Sequence, residues 1–318
     1  MPALIPRAVL VTRPTEYEAL LARYGTRPQA KFALASSGQN LSPLEERHEK
    51  LRGAIETVGR AIPREWRKVR IDRAELDRFI FEPDDIVVPI GQDGLVANVA
   101  KYLRDQRVVG VNPDPASYEG VLVRNAPARA GAAIAAAYAG TSLVELRTMA
   151  EATLDDGQRV LALNEIFVGH RSHQSARYRV RIENREERQS SSGLIVATGT
   201  GSTGWARSIR AERHSEIALP RPSDSALALF VREAFPGSGF QTSLTEALVG
   251  GDQTVEIVSE MGEDGVIFGD GIEEDRVIFG WGSRLRIRVA ARKLQLVIDE
   301  APVPAETPRN GATARAAA

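Results

Sequence analysis

The chain has 318 residues, of which 43% are hydrophobic and 26% charged, a composition typical of a globular protein with one large domain or two ordinary ones. Its 41 lysines and arginines nearly balance 42 aspartates and glutamates, and the formal net charge of -1 argues against nucleic acid as a partner. There is no cysteine, which excludes disulfides, thiolate metal sites and a cysteine nucleophile.

The amino-terminal segment is strand-like and does not have the pattern of a secretion signal. The longest uncharged apolar stretch, residues 130–144, is shorter than the roughly 20 residues that a membrane-spanning helix needs. The sequence therefore predicts a cytoplasmic protein without a membrane partner.

Strand and helix patterns alternate in the first half of the chain. Short apolar runs predict strands at residues 8–11, 86–88 and 108–111. Periodic stretches with capping signals predict helices at residues 15–24, 42–62 and 96–103. This alternation predicts a Rossmann-like α/β domain, residues 1–142, in which helices cover a parallel sheet.

After residue 140 the apolar pattern changes to period two, as in half-buried antiparallel strands. Tyr178, Val180 and Ile182 alternate with arginines. Residues 266–271 nearly repeat as 277–282, which predicts two neighbouring strands of a meander. The sequence thus predicts a β-sandwich-like domain, residues 143–298.

Two further segments of the second half have patterns of their own. Residues 209–251 form a partly helical region in our interpretation, with residues 226–234 as its best helix. Residues 299–318 are rich in proline, alanine and threonine without apolar periodicity, and we expect a disordered tail there.

The first candidate site follows the predicted strand at residues 86–88. A glycine-flanked aspartate stands between this strand and the next helix, in the motif Gly91-Gln92-Asp93-Gly94-Leu95. Glycines let backbone N–H groups approach phosphate oxygens, and a helix start adds its positive dipole end. Asp93 could orient a substrate hydroxyl or accept its proton. The alternative is a plain strand–helix turn in which the aspartate caps the helix.

The second candidate site is a loop rich in glycine and hydroxyl residues. An apolar run leads into Thr198-Gly199-Thr200-Gly201-Ser202-Thr203-Gly204-Trp205. Such a loop can bind phosphate or nucleotide through backbone amides and hydroxyls. Its match to the Gly-x-Gly-x-x-Gly dinucleotide fingerprint is weak, because the loop lies in the β-rich half and not in the first turn of a βαβ unit. An ordinary surface loop is the alternative.

The third candidate site is Asn164-Glu165, which opens a predicted apolar strand. These side chains could bind ribose hydroxyls or adenine, and the alternative is an ordinary turn. His170 and His173 have the spacing of a helix face in a region of strand and loop, and no third ligand is evident, so we predict no metal site. No Walker A pattern occurs in the chain.

Taken in chain order, these segments resemble the NAD kinase family, which shares its core fold with diacylglycerol kinases. The family carries Gly-Gly-Asp-Gly-Thr, Asn-Glu, a strand ending in Thr-Pro-Thr-Gly-Ser-Thr-Ala-Tyr, and an Asp-Gly in its β domain. The matching segments here are the Asp93 motif, Asn164-Glu165, the loop 198–205 and Asp270-Gly271. The resemblance covers residues 8–298, and segments such as Gly110-Val111-Asn112-Pro113-Asp114-Pro115 and Ser191-Ser192-Gly193 are similar to the mitochondrial type.

The resemblance implies a phosphotransferase that moves the γ-phosphate of ATP to the 2′-hydroxyl of the adenosine ribose of NAD, giving NADP. Mg²⁺ would be carried by the substrate phosphates and not by a metal site of the protein. Asp93 is the implied catalytic residue, which orients or deprotonates the hydroxyl. Nucleotide-binding residues are implied at Gly91, Gly94, Asn164, Glu165, Thr200, Gly201, Ser202, Thr203, Trp205 and Asp270. The family also implies a homodimer or homotetramer, in which Asp270 reaches a neighbouring subunit's site.

The chain departs from the family pattern beside the implied catalytic residue. Gln92 replaces a glycine, and we expect its side chain to narrow the phosphate path or to force a positive φ at a cost of about 1 kcal/mol. Leu95 replaces a threonine and removes a hydroxyl that could meet phosphate or metal. Gly204 and Trp205 stand where the family usually has alanine and tyrosine, and Asp93 itself is present.

Other functions remain open at the level of sequence. Gln92 and Leu95 suggest a nucleotide-binding sensor or regulatory protein of the same fold that has lost catalysis. The shared Gly-Asp-Gly suggests a related lipid or sugar kinase, although Asn164-Glu165 favours a dinucleotide. A Rossmann dehydrogenase ranks last, because its fingerprint is misplaced.

Overall fold

The computed structural model describes residues 5–298, so the predicted tail at 299–318 lies outside the described residues. Within this range the helices are α1 (Glu16–Tyr24), α2 (Arg27–Ser36), α3 (Ser42–Ala61), α4 (Asp93–Ala100), α5 (Ala130–Ala139) and α6 (Trp205–Glu212). The strands are β1 (Arg7–Thr12), β2 (Arg67–Asp72), β3 (Ile86–Pro89), β4 (Arg107–Val108), β5 (Leu143–Leu154), β6 (Arg159–Ala162), β7 (Glu165–His170), β8 (Ala176–Ile182), β9 (Arg185–Ser191), β10 (Leu194–Ala197), β11 (Ala226–Val231), β12 (Glu246–Gly250), β13 (Val255–Ser259), β14 (Gly265–Gly269), β15 (Val277–Ile278) and β16 (Arg284–Ile298). None of these helices is long and apolar enough to cross a membrane.

The amino-terminal part is a parallel sheet with helices on both faces, as the alternating pattern predicts. Its strands lie in the order β2-β1-β3-β4. Val9 and Val11 pack on the side of α4, whereas Ala8 and Leu10 pack on the side of α3 and α5. Burial on both faces explains the apolar runs in β1 and β3, whereas β2, at the edge of the sheet, is largely polar. Because the strands are parallel, their carboxyl ends meet at one edge, where the loops after β1, β3 and β4 converge.

The second part consists of two facing sheet layers around one apolar core. One layer is a six-stranded sheet in the order β12-β11-β10-β7-β14-β15. The facing layer contains β5, β6, β8, β9, β13 and β16. In β8, Tyr178, Val180 and Ile182 lie in the core between the layers while the arginines are exposed, which confirms the period-two pattern. β14 and β15 pair antiparallel, with Val266 opposite Ile278, as the near-repeat predicts.

Strand β16 connects the two parts into one continuous sheet. Its carboxyl half pairs in parallel with β4, Leu296 lying opposite Val108. It also pairs antiparallel with β5 along its length and with β13. The division at residue 142 remains a prediction, and β16 and β5 are the strands through which the parallel and antiparallel regions meet.

The predicted helix at residues 226–234 is wrong, because residues 226–231 form strand β11. Alanine and leucine favour helices in isolation, but here β10 and β12 pair with both edges of the segment. Leu227, Leu229 and Val231 face the core between the two sheet layers, and Ala228 and Phe230 face the core under α6. Burial on both faces removed the period-two alternation by which the sequence could have indicated a strand.

Candidate active site

Asp93 lies partly buried at the carboxyl edge of the parallel sheet, in the first turn of α4. The loop after β4 folds over this turn, and three of its backbone amides bind the carboxylate. Oδ1 accepts hydrogen bonds from the N–H groups of Leu122 (2.8 Å) and Val123 (3.0 Å), and Oδ2 accepts one from Val121 (3.0 Å). These bonds use three of the roughly four acceptor positions of the carboxylate, so one position on Oδ2 is left for a substrate hydroxyl unless a contact opens.

Tyr118 closes another side of the same turn, and the sequence patterns gave no signal for it. Its hydroxyl donates to the carbonyl of Gly91 (3.1 Å), and the Asn112 side-chain amide donates to the carbonyl of Tyr118 (2.9 Å). Burial, together with the negative charge of Asp93, raises the pKa of Tyr118 to about 12. The hydroxyl therefore stays protonated at neutral pH and acts as a donor that fixes the Gly91 backbone.

The two departures from the family pattern are accommodated without backbone strain. The expected positive φ at Gln92 is wrong: its φ is -95° and its ψ 166°, so the residue is extended and its side chain accepts a hydrogen bond from Arg13 (2.7 Å). Leu95 is 1% exposed and belongs to the core between α4 and the sheet. A Cβ added to Gly91 would lie 3.3 Å from the Leu95 side chain, so Leu95 fills space beside the motif.

Gly94 differs from Gly91, Gly199 and Gly201 because nothing crowds it. A Cβ added there would meet no atom within 4 Å, and the residue is exposed. The fold itself therefore does not require glycine at this position. Open space beside Asp93 is what a ligand would need, and nucleotide binding by Gly94 remains a prediction.

The loop 198–205 follows β10 and is held mainly by its own hydrogen bonds. The hydroxyl of Thr198 accepts from the N–H groups of Thr200 (3.1 Å) and Gly201 (3.3 Å). The hydroxyl of Ser202 donates to the carbonyl of Thr198 (3.0 Å), and that of Thr203 donates to the carbonyl of Thr200 (3.0 Å). Thr200, Gly201 and Ser202 are buried, so the solvent-facing part of the loop is Thr203 and the residues after it.

Close packing explains two of the glycines in this loop. A Cβ on Gly201 would lie 2.2 Å from the carbonyl oxygen of Asn164, and one on Gly199 would lie 1.8 Å from that of Arg221. No real Cβ atom approaches an oxygen so closely, so both positions need glycine whatever the loop binds. The high glycine content was the main sequence signal for a phosphate site. Two of these glycines are explained by packing in the fold and not by a ligand.

Asn164, Glu165 and Asp270 form a corner directly beneath this loop. The Asp270 carboxylate accepts hydrogen bonds from the backbone N–H groups of Asn164 (2.6 Å) and Leu163 (3.1 Å), and the Asn164 carbonyl accepts one from Thr198 (2.8 Å). Asp270 has a φ of 57°, a left-handed conformation that turns its carboxylate towards its own chain. Asp270 could contact a neighbouring subunit, as the family resemblance implies, only if these hydrogen bonds broke.

The carboxylic acids of this corner are harder to ionise than usual. Burial, together with the negative charge of Asp270, raises the pKa of Glu165 to about 7, and burial raises that of Asp270 to about 6. The Lys101 ammonium and backbone N–H groups act against the shift at Asp270. The Lys101 ammonium also donates to the carbonyl of Gly269 (2.9 Å), so the end of α4 is attached to this corner.

Arg147 of β5 joins the Asp93 turn to the loop 198–205, a contact that no sequence pattern indicated. The side chain is 1% exposed. Nη1 donates to the hydroxyl of Thr200 (3.4 Å) and Nη2 to the carbonyl of Val121 (3.5 Å), while Nη2 also pairs with Glu145 (3.3 Å). Burial lowers the pKa of Arg147. An arginine in a strand ordinarily faces solvent, so its sequence position gave no signal.

Trp205 borders a pocket of about 360 Å³ on the outer face of the six-stranded sheet. Phe167 stacks on Trp205 at 6.0 Å and on Phe268 at 4.7 Å, and the Arg232 guanidinium lies 4.8 Å from the Trp205 ring. The pocket is lined by Phe167, His170, Arg171, Trp205, Arg232, Val266, Phe268, Glu273 and Arg276. Aromatic rings beside cationic groups suit a planar base and a phosphate.

A larger open depression of about 1100 Å³ lies at the opposite, amino-terminal edge of the parallel sheet. Two of its arginines are paired with carboxylates, Arg7 with Asp85 and Arg67 with Glu82. Within residues 5–298 no group of three or more histidines, aspartates and glutamates is arranged to hold a metal ion.

Sequence comparisons identify NAD kinases as similar proteins, although no protein-family model matches the chain. The chain is 28% identical to NAD kinase 2, mitochondrial, of Rattus norvegicus over 256 residues, which are 64% of this chain and 60% of that protein. It is 28% identical to the Homo sapiens protein of the same name over 280 residues, 67% of this chain and 63% of that protein. The chain thus spans about three fifths of the length of these relatives.

A bacterial NAD kinase and a solved structure agree with these matches. The NAD kinase of Chlorobaculum tepidum is 28% identical over 129 residues, 39% of this chain and 44% of that protein. The crystal structure of an NAD kinase from Archaeoglobus fulgidus in complex with ATP matches with a TM-score of 0.56 and 20% identity, over 92% of this chain and 94% of that chain. This chain is therefore similar to NAD kinases in sequence and has their fold, an α/β part followed by a β-sandwich-like part, which confirms the resemblance that its motifs predict.

Proposed function

We propose that this chain is an NAD kinase-like phosphotransferase, which transfers the γ-phosphoryl group of ATP to the 2′-hydroxyl of the adenosine ribose of NAD. The names of the similar proteins support this activity, and the archaeal structure was solved with ATP. The reaction forms a bond between the ribose oxygen and the γ-phosphorus and breaks the bond from that phosphorus to the bridging oxygen of ADP. The hydroxyl proton is released.

The observation that carries the proposal is the link between the two halves of the candidate site. Arg147 contacts both Thr200 in the hydroxyl-rich loop and Val121 in the segment that binds Asp93. Phosphoryl transfer depends on positioning and charge neutralisation more than on covalent chemistry, so the essential requirement is that both segments face the same ligands. This contact supports a shared site.

In this proposal Asp93 orients the ribose hydroxyl or accepts its proton, either at the acceptor position that the amides of residues 121–123 leave on Oδ2 or at one that they release. Gly91, Gly94 and residues 200–203 hold phosphate or nucleotide, and Asn164 and Glu165 bind ribose or adenine. Trp205, with the aromatic pocket beside it, offers a stacking surface. Mg²⁺ enters with the ATP phosphates, which needs no metal ligands from the chain. Cytoplasmic residence and assembly as a homodimer or homotetramer are further parts of the proposal.

The decisive experiment measures NADP formation by the purified chain with NAD, ATP and Mg²⁺, beside Asp93→Asn. We expect the variant to lose about 100- to 10,000-fold in turnover if Asp93 handles the proton. Asp72→Asn is the matched control, because Asp72 also binds a backbone amide, that of Ala74, at the same edge of the sheet. Tight NAD binding without any NADP formation would contradict the kinase proposal and support the sensor.

A further inference from the structure

Arg147 makes weaker contacts than a buried arginine usually does. A guanidinium has five N–H donors. Here Nε has no hydrogen-bond partner among residues 5–298, and the contacts of the other nitrogens are 3.3–3.5 Å long. A desolvated charge with long hydrogen bonds adds little to stability and costs free energy to bury. The fold therefore keeps a buried cation here. Because its hydrogen bonds are long, the guanidinium can move closer to one partner, such as Thr200, and away from another, such as the Val121 carbonyl.

The peptide group between Val121 and Leu122 transmits a movement of Arg147 to Asp93. Its N–H, that of Leu122, donates to the Asp93 carboxylate, and its carbonyl, that of Val121, accepts from Arg147. Another nitrogen of the guanidinium, Nη1, contacts the hydroxyl of Thr200. Thr200 immediately precedes the turn Gly201–Thr203. Arg147 thus connects the hydroxyl-rich loop with the segment whose amides bind the Asp93 carboxylate.

We propose, resting on the proposed function, that Arg147 is a positioning residue that couples ATP binding at the loop 198–205 to the release of Asp93. Phosphate charge at the loop attracts the guanidinium towards Thr200 and weakens its bond to the Val121 carbonyl. The amides of residues 121–123 then move away from the Asp93 carboxylate, which gains further acceptor positions for the ribose hydroxyl. The protein thus has two states, one in which the amides bind Asp93 and one in which they do not, and ATP binding favours the second state.

Arg124 provides a matched control for this coupling. Its guanidinium donates to the same Val121 carbonyl (3.0 Å) and pairs with the same Glu145 (3.5 Å), but it lies on the exposed side and has no contact with Thr200 among the described residues. Loss of Arg124 therefore removes a cation from the same carbonyl without cutting the connection to the loop. A purely structural role for these arginines predicts similar effects of Arg124→Gln and Arg147→Gln.

The first test measures amide hydrogen exchange of residues 117–125 with and without ATP, which needs no turnover. We expect ATP to accelerate exchange in wild type and in Arg124→Gln, and to have no effect in Arg147→Gln. Thr200→Val cuts the connection at its other end and should also lose the response, which keeps the test available if Arg147→Gln does not fold. An unchanged response in the Arg147 or Thr200 variant, or no response in wild type, overturns the proposal.

The second test uses steady-state NADP formation. We expect Arg147→Gln to lower kcat by about 10- to 100-fold, because misplacement of Asp93 slows the chemical step more than substrate binding, and KM to change much less. Arg147→Lys, which keeps the charge but not the two-ended contact, should restore only part of kcat. Losses for Arg147→Gln and Thr200→Val should not add in the double variant. Fully additive losses, or a kcat equal to wild type, overturn the coupling.

The two tests separate this inference from the proposed function. If wild type makes no NADP but its exchange response to ATP depends on Arg147, the kinase activity fails while the coupling stands. If wild type makes NADP and the exchange response is the same in Arg147→Gln, the coupling fails while the kinase activity stands.

Discussion

The ammonium group of Lys101 donates a hydrogen bond of 2.9 Å to the backbone carbonyl of Gly269, across the boundary between the parallel and antiparallel regions. Lys101 follows the last residue of α4, and Asp93 is the first residue of the same helix. Helix α4 therefore carries the implied catalytic carboxylate at one end and is attached to the Asp270 corner at the other. A short rigid helix can in this way fix the distance between two parts of the candidate site.

We expect Lys101→Met to destabilise the protein by about 0.5–1.5 kcal/mol, because the buried Gly269 carbonyl loses one of its two donors and keeps the N–H of Ile272 at 3.2 Å. The pKa of Asp270 should rise further, since the Lys101 charge now lowers it. Lys68→Met is the control, because Lys68 donates to the carbonyl of Gly59 at the same 2.9 Å but is exposed. Urea unfolding gives both free energies; equal losses for the two variants would show that burial of the contact does not matter.

The unfolding free energy should fall as pH rises from 5 to 8. Burial raises the pKa of Glu165 from 4.5 to about 7 and that of Asp270 from 3.8 to about 6. The folded state therefore binds these protons more tightly than the unfolded chain does, and the stabilisation is complete at low pH and lost as pH passes the folded values. Glu256, whose pKa the hydrogen bond from Arg181 lowers, titrates below this window.

Glu165→Gln tests this pH dependence, because the amide is neutral at every pH. We expect the loss of about 1–3 kcal/mol between pH 5 and pH 8 in wild type to become clearly smaller in the variant. Urea titrations at several pH values measure the slope. A slope that is the same in both proteins would mean that Glu165 titrates near its ordinary value.

Gly201→Ala should destabilise the protein strongly, because its Cβ would overlap the carbonyl oxygen of Asn164 at 2.2 Å. We expect a loss of about 2–4 kcal/mol, or a displaced loop that no longer packs on Asn164. Gly53→Ala is the control, since Gly53 is an exposed residue of α3 whose added Cβ meets nothing within 4 Å. That variant should gain up to about 1 kcal/mol from helix propensity. Thermal and urea unfolding compare the two.

Restoring the threonine of the family pattern at position 95 should harm this protein. Leu95 is 1% exposed in the core, so Leu95→Thr leaves a cavity and buries a hydroxyl, at a cost of about 2–4 kcal/mol. Leu95→Met conserves volume and should cost less than about 1.5 kcal/mol. The measurement is the free energy of unfolding, and a Leu95→Thr variant as stable as wild type would show that the side chain does not hold the core.

Much of the fold could be predicted from local pattern, because burial shapes the sequence of each element directly. The order of strand, Asp93 and helix, and the alternation in β8, both appear in the structure as predicted. Strand β11 could not be predicted, since alanines and leucines buried on both faces have no period that separates strand from helix.

The candidate site was predictable where chemistry requires a residue type at a fixed place in a motif. The Asp93 turn, the Asn164 corner and the hydroxyl-rich loop belong to this class. Arg147 and Tyr118 do not, because their significance arises from contacts with residues far away in sequence. The reason for Gly201 also lies outside its own loop, in the carbonyl of Asn164.

The pairing of Leu296 with Val108 has a consequence for how the molecule forms. These residues are far apart in sequence, so the growing chain must expose the β4 edge of its parallel sheet until residues 284–298 arrive. Unpaired strand edges attract other chains, and contacts of such long range form slowly. Residues 1–142 produced alone should therefore aggregate, and adding a peptide that corresponds to β16 during refolding should keep them in solution.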